Sequence, residues 1–214
     1  MKYFIDTEFI EGFHKPLFGK KRHFIDLISI GIVCEDGRSY YAISNEFNSK
    51  DADLWVKENV ISKLPIKIPN QHDSPRVREE SYLYKSNKRI AEDIMLFCGR
   101  EVIENKFGDG HYVYPKDIEF YAYYADYDWV LFCSLFGRMI DLPEDFPKYC
   151  KDLKQSYDEK IKEYAPHANF KNEEIHRVFK TLLDVQNQEN EHNALDDAKW
   201  TFKLYNALTN FKSV

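Results

Sequence analysis

Two periodicities of apolar residues follow one another along the chain and predict a mixed α/β fold. Runs rich in β-branched and aromatic residues, bounded by turn residues, predict strands. The predicted strands cover residues 2–10, 24–33, 39–44, 118–124 and 146–153. Apolar residues three and four positions apart predict helices. The main predicted helices cover residues 76–103, 125–136, 155–164, 172–186 and 194–208, and the apolar stripe of the first is clearest from Asn87 onwards. A tight Asp-Gly turn and one loop join the first three strands, which predicts an antiparallel meander.

The pattern is weakest in the middle of the chain. Residues 64–75 contain three prolines and must be irregular. No internal repeat, low-complexity tract or long linker divides the chain. Residues 1–214 are therefore interpreted as a single domain with a helical and irregular insertion at about residues 62–117, a segment that could shape a substrate channel.

Composition narrows the class of protein. The net charge is −6, from 36 acidic and 30 basic residues, whereas a protein that relies on non-specific phosphate contacts is usually basic. The four cysteines lack the spacing of zinc ligands. No apolar run is long enough to span a membrane, and the N-terminus does not resemble a signal peptide. These features predict a soluble, cytoplasmic protein.

Two carboxylates, Asp6 and Glu8, interrupt the apolar first strand. Residues two apart on a strand point to the same side, and two adjacent like charges are unfavourable unless a cation lies between them. Mg²⁺ and Mn²⁺ prefer carboxylate oxygens, so this pair is a candidate metal site. The alternative is an exposed strand with two solvated acids.

A second pair, Asp126 and Asp128, lies where a predicted strand meets a predicted helix. Ligands collect at this edge of open α/β sheets. Either aspartate could instead cap the free N–H groups of the helix.

A third acidic site lies near the C-terminus. His192 and Asp197 are five positions apart, about 140° on a continuous helix, so they can converge only if His192 precedes the helix. Asn193 is a suitable N-cap. Asp197 then lies on the apolar face, whereas Asp196 shares the solvated face with Lys199. A lone inward aspartate is costly unless it is paired, which favours a metal ligand.

Together these motifs resemble the Asp-Glu-Asp-Asp 3′-to-5′ exonuclease superfamily, in the subgroup with a motif histidine. The matching segments are Asp6-Thr7-Glu8, Tyr127-Asp128 and His192-x-Ala194-x-x-Asp197. The chain is most similar to ribonuclease T-like and short mycobacterial-type exoribonucleases. Many relatives carry amides ahead of the second-motif aspartate, where this chain has Tyr124 and Asp126. The register favours Asp128 over Asp126 as the ligand.

The resemblance implies a ribonuclease H-like fold, with a mixed five-stranded sheet flanked by helices. It also implies two divalent metal ions, Mg²⁺ or Mn²⁺, bound by four carboxylates. These are Asp6, Glu8, Asp128 and Asp197. His192 is the candidate general base for the attacking water, and the expected product is a nucleoside 5′-monophosphate.

The expected substrate is the 3′ end of single-stranded RNA, although DNA is not excluded by sequence. Thr7 and Phe9, within or beside the first motif, are expected to contact the substrate, and Phe9 could stack on a base. Lys20, Lys21 and Arg22 belong to the most basic stretch of the chain and could hold phosphates. Two further expectations are a homodimer, as in relatives, and, as an alternative to catalysis, a binding module that retains the fold.

Overall fold

The computed structural model of the chain describes residues 1–14, 16, 18–67, 81–99, 101–104, 110–113, 117–167, 173–185 and 191–211. The strands are β1 (Lys2–His14), β2 (Arg22–Cys34), β3 (Ser39–Ser44), β4 (Tyr84–Lys85), β5 (Glu101–Glu104), β6 (Gly110–Val113), β7 (Glu119–Ala122) and β8 (Lys151–Asp152). The α-helices are α1 (Leu54–Asn59), α2 (Asn87–Phe97), α3 (Ala125–Phe136), α4 (Leu153–Tyr164), α5 (Glu173–Leu182) and α6 (Ala194–Asn210).

Six strands form one mixed sheet in the order β4-β3-β2-β1-β7-β8. Strands β1, β2 and β3 are an antiparallel meander, while β7 and β8 run parallel to β1 and to each other. The predicted fold class, a mixed α/β sheet with a meander followed by parallel strands, is confirmed. The sheet has six strands rather than five because Tyr84 and Lys85 pair with the end of β3. Two residues are too few to show a strand period in the sequence.

The predicted segment at 62–117 is only partly described, since residues 68–80, 100, 105–109 and 114–116 lie outside the described part. Its described residues contribute β4 and α2 to the main body and form a separate two-stranded sheet from β5 and β6. Helix α2 begins only at Asn87, since Tyr84 and Lys85, within the segment predicted as helical from residue 76, form β4. It ends at Phe97 rather than at residue 103, because Gly99 adopts a left-handed φ of 85°.

Strands β1 and β2 are longer than the sequence pattern predicted. Residues 11–23 were expected to be a loop, but the antiparallel ladder continues until His14 pairs with Arg22. Aromatic rings support this extension, with His14 stacked on Phe24 at 4.1 Å between ring centroids. In contrast, the strand predicted at 146–153 shrinks to β8, because Pro147 cannot donate a ladder hydrogen bond.

Side chains of β1 alternate between two helical layers. Tyr3 contacts Phe97 of α2 at 6.0 Å between ring centroids. Phe4, on the opposite face, contacts Phe202 of α6 at 4.9 Å. Because side chains alternate along a strand, Asp6 and Glu8 share the α6 face with Phe4.

A glycine lets α6 approach this face closely. Gly31 on β2 lies directly opposite Asp6 in the ladder. A Cβ atom at Gly31 would lie only 2.2 Å from the carbonyl oxygen of Ala194, the first residue of α6. The absence of a side chain at Gly31 therefore allows the first turn of α6 to lie against the sheet beside Asp6.

In the part of the chain that the structure describes, no helix combines the length and the apolar character needed to cross a membrane.

Candidate active site

Three carboxylates meet between the sheet and α6. One ligand oxygen each from Asp6, Glu8 and Asp197 can be chosen so that all lie within 4.8 Å of one another. Asp6 and Glu8 come from β1, and Asp197 comes from the first turn of α6. Asn193 caps this helix by accepting hydrogen bonds from the N–H groups of Leu195 and Asp196, as predicted. The N-cap holds the helix start in register, so Asp197 faces inward.

Asp197 has one oxygen that is satisfied and one that is not. Its Oδ2 accepts a hydrogen bond of 3.0 Å from the backbone N–H of His192. Its Oδ1 is buried and has no hydrogen-bond partner among the described residues. A buried carboxylate oxygen without a donor is costly, and this one lies within the acidic cluster.

Asp128 approaches the cluster from the other side of β1. Strand β7 pairs only with Lys2, Tyr3 and Phe4, so the N–H of Thr7 lies beyond that ladder. The Thr7 N–H donates to Asp128 Oδ1 at 2.8 Å, and the Thr7 hydroxyl donates to the same oxygen at 2.6 Å. Thr7, predicted to bind substrate, is thus buried and positions Asp128.

The two aspartates of the second pair have different environments. Asp128 is buried at 6% exposure, whereas Asp126 is exposed in the first turn of α3. The geometry therefore favours Asp128 as the fourth acidic group of the site.

This difference predicts the outcome of a matched pair of substitutions. Asp128→Asn is expected to lower kcat on RNA by at least about 100-fold, because it removes a charged group next to the cluster. Asp126→Asn, two residues away on the same helix, is expected to change kcat by less than about twofold. Steady-state assays of both variants check this. A large loss of kcat in Asp126→Asn but not in Asp128→Asn would identify Asp126 as the second-motif ligand.

Burial and mutual repulsion shift the acidity of all four groups. Burial, together with repulsion from Asp128, Asp197 and Glu8, holds the pKa of Asp6 well above its usual range. Burial raises the pKa of Glu8 to about 8 and that of Asp128 to about 7. Burial likewise raises the pKa of Asp197 to about 6, against the opposing hydrogen bond from the His192 N–H. In the absence of a cation, the site therefore disfavours the charged form of each of these carboxyl groups.

This donor set fits divalent metal ions. Carboxylate oxygens are the ligands preferred by Mg²⁺ and Mn²⁺. The Oδ1 of Asp197, which has no partner among the described residues, is available as a ligand. A bound cation would offset the repulsion between these carboxylates.

The same charges predict how metal ions affect stability. A carboxyl group whose pKa is raised on folding makes the folded state less stable as pH rises through the interval between its unfolded and folded pKa values. For Glu8, Asp128 and Asp197 this interval runs from about pH 4 to about pH 8. Mn²⁺ or Mg²⁺ is therefore expected to raise the melting temperature of EDTA-treated protein more at pH 8 than at pH 5.5.

Differential scanning fluorimetry at the two pH values, with and without metal, measures this effect. Asp6→Asn, with one acidic ligand removed, is the control in which the metal-dependent rise should shrink. A rise of equal size at both pH values would contradict proton competition at the carboxylate cluster.

His192 lies immediately before the N-cap of α6, as the motif spacing required. Its backbone adopts a left-handed φ of 71°, which turns the chain so that its N–H reaches Asp197. Its imidazole ring lies edge-on against Trp55, at 4.7 Å between centroids and 80° between planes. The backbone of His192 thus meets Asp197 although the two residues are five positions apart.

Two residues near the cluster were missed by sequence reasoning. Trp55 on α1 supports the His192 ring while remaining half exposed. The ammonium of Lys63 donates to the carbonyl of Glu191. By charge attraction it partly offsets the rise in the pKa of Glu8 and of Asp197. Neither residue belongs to a local motif. Folding brings Trp55 beside His192 and Lys63 beside Glu191, in each case more than 100 positions along the chain.

The other predicted substrate contacts divide into near and far groups. Phe9 follows Glu8 after a β-bulge, is partly buried, and contacts Tyr127 at 5.4 Å between ring centroids. Lys20, Lys21 and Arg22 are exposed at the far end of the β1–β2 ribbon. Arg22 pairs with His14, six residues beyond Glu8, which corresponds to ~20 Å along a strand. The structure does not bring these three cations to the cluster.

The fold, the order of the motifs and their convergence define a member of the Asp-Glu-Asp-Asp 3′-to-5′ exonuclease superfamily with a motif histidine. A family model described as the 3′-5′ exoribonuclease Rv2179c-like domain matches residues 1–209. The chain belongs to this family.

Two named relatives support the same assignment. The chain is 34% identical over 160 residues to the 3′-5′ exoribonuclease Rv2179c of Mycobacterium tuberculosis strain H37Rv, covering 75% of this chain and 76% of that protein. The 3′-5′ exoribonuclease MT2234.1 of M. tuberculosis strain CDC 1551 / Oshkosh matches with the same identity and coverage.

Proposed function

We propose that this protein is a 3′-to-5′ exoribonuclease that hydrolyses the terminal phosphodiester of single-stranded RNA and releases nucleoside 5′-monophosphates. The observation that carries this proposal is the group of Asp6, Glu8 and Asp197 oxygens within 4.8 Å, beside a buried Asp128. Family membership supports the same reaction. Residues 1–214 are proposed to act as one domain, because β1, α3 and α6 all contribute carboxylates.

Four side chains are proposed to hold two divalent ions, Mg²⁺ or Mn²⁺. Asp6, Glu8 and Asp197 lie closest together, and Asp128 completes the set. When bound, such ions activate water and neutralise the charge that develops on the phosphate and the leaving oxygen. Thr7 keeps Asp128 in place through its two hydrogen bonds to Oδ1.

His192 is proposed to take the proton from the attacking water. Histidine is the side chain used most often as a general base. The edge-on contact with Trp55 restricts the ring. The hydrogen bond from the His192 N–H to Asp197 ties its backbone to the acidic cluster.

The terminal nucleotide is proposed to lie beside Phe9. This ring is only partly buried and is paired with exposed Tyr127, so the two rings offer an aromatic surface next to Glu8. Lys20, Lys21 and Arg22 are proposed to contact only longer substrates, because the ribbon carries them away from the carboxylates.

A nuclease assay tests the proposed reaction. Single-stranded RNA and DNA of equal sequence, labelled at the 5′ end, are incubated with the protein and Mg²⁺ or Mn²⁺. A ladder that shortens from the 3′ end on RNA is expected, together with nucleoside 5′-monophosphates in the soluble products. EDTA and Asp6→Ala are the negative controls.

The DNA arm decides the sugar preference of the enzyme. Cleavage of DNA at an equal rate would contradict a preference for RNA. If the wild-type protein shortens neither polymer with either metal, the proposed hydrolysis is wrong for these substrates.

A further inference from the structure

A cavity of about 740 Å³ lies between α4, α5 and the turn that joins β7 to α3. Its volume is within the range of pockets that hold small organic ligands. Aromatic and basic side chains line it together. Tyr123 and Tyr124 form the part next to the sheet, while Lys154, Arg177 and Lys180 come from the two helices.

Two helices that carry carboxylates of the site also reach this cavity: the N-cap residue of α3 lines it, and α6 contacts one of its lining residues. Tyr124 lies four residues before Asp128, a separation of ~6 Å along a helix axis. The ring of Tyr123 meets the ring of Trp200 edge-on at 5.0 Å. Trp200 lies three residues after Asp197, about one turn along α6. A strand that ends at the carboxylates can therefore continue into the cavity.

Tyr124 is held in an unusual backbone conformation with its side chain exposed. Its φ of 63° lies in the left-handed region, which residues with a Cβ rarely adopt, and the side chain is 63% exposed. The Tyr124 N–H donates to Asp152 Oδ1 at 3.3 Å, and the Lys154 ammonium lies 5.7 Å from the Tyr124 ring centroid. Such outliers concentrate at functional sites.

The charges that line the cavity are mixed but favour an anion. Lys154, Arg177 and Lys180 outnumber the carboxylates of Glu173 and Asp184, against a net charge of −6 for the whole chain. Lys154 is paired with Asp158, and Arg177 has an exposed pairing with Glu174 at 3.6 Å. Lys180 lies 5.8 Å from the Trp200 ring centroid. Aromatic faces beside cations suit stacked bases with one or two phosphate contacts.

We propose that this cavity binds the RNA strand on the 5′ side of the terminal nucleotide, with a base stacked on Tyr124 and a phosphate near Arg177 and Lys180. The proposal rests on the proposed exonuclease function and extends it. It makes the cavity the feature that distinguishes longer RNA from a dinucleotide.

Binding and kinetics together test this proposal. Binding of 5′-fluorescein RNA of two, three, five and seven nucleotides is measured by fluorescence anisotropy in EDTA, where no cleavage occurs, and KM is measured for the same RNAs with metal. In the wild type, Kd and KM are expected to fall as length increases. In a Tyr124→Asn/Arg177→Ala double variant, Kd for the heptamer is expected to rise at least about fivefold, so that the length dependence is lost. Asparagine tolerates the left-handed conformation at position 124.

The controls separate this proposal from the proposed reaction. Lys160→Ala removes a partly exposed cation of α4 that does not line the cavity, and it should retain the length dependence. An unchanged length dependence in the double variant would overturn the cavity assignment even if cleavage is normal. A different result would be that a free nucleoside 5′-monophosphate competes with the heptamer in the wild type but not in the double variant. That result would assign the cavity to a free nucleotide and would also overturn the proposal. Failure of the wild type to cleave any RNA would overturn the reaction, while the EDTA binding series still decides the cavity.

Discussion

Replacing Asp6 with asparagine is expected to lower kcat on RNA by at least about 1000-fold while making the metal-free protein more stable. The loss of activity follows because Asp6 shares one small volume with Glu8 and Asp197, and these carboxylates would together hold the metal that activates water. The gain in stability follows because burial and three carboxylate neighbours penalise its charge. Removing that penalty should add at least ~1 kcal/mol, or ~2–4 °C in melting temperature.

Asp196→Asn is the matched control for this substitution. Asp196 is also acidic and near the site, but it points outward and pairs with Lys199 at 2.9 Å. It should leave kcat within about twofold of the wild type and should not stabilise the EDTA-treated protein. Loss of both activity and stability in Asp6→Asn would contradict the electrostatic account, because it would indicate a structural role.

The second large effect is expected at His192. His192→Asn should lower kcat by about 10²–10⁴-fold, the usual contribution of a general base. Asparagine is chosen because it tolerates the left-handed backbone at this position and retains the N–H that donates to Asp197. The fold and metal binding should therefore persist while the reaction slows.

Trp55→Leu separates ring positioning from proton transfer. Loss of the edge-on contact should free the His192 ring and lower kcat by roughly threefold to thirtyfold, a smaller loss than in His192→Asn. A metal-dependent rise in melting temperature, measured by thermal unfolding, is the control that both variants still bind ions. A normal kcat in His192→Asn would exclude His192 as the base.

Local sequence was sufficient to predict several elements of the site. The predicted bounds of α3, residues 125–136, and the N-cap at Asn193 are confirmed. Both depend on short-range rules: helical spacing of apolar residues, a glycine after the last turn, and a side-chain oxygen that accepts from free N–H groups. The same rules correctly assigned Asp197 to the buried face and Asp196 to the solvated one.

Elements that depend on distant partners were predicted less well. The extension of β1 and β2 to His14 and Arg22 depends on a ladder between two segments, not on either segment's own pattern. Strand β4 exists only because β3 offers a free edge to Tyr84 and Lys85. In both cases the stabilising hydrogen bonds are absent from the isolated segment, so its sequence carries little signal.

By itself, the sequence determined which chemical groups are available: four carboxylates and a histidine in a recognisable order, on elements whose local patterns are strong. Only the tertiary structure decided which groups meet. Gly31 admits α6 to the sheet, Thr7 donates two hydrogen bonds to Asp128, and Trp55 and Lys63 come from a distant segment. The physical reason is that side-chain spacing fixes the face of one element, whereas contacts between elements depend on packing across many of them.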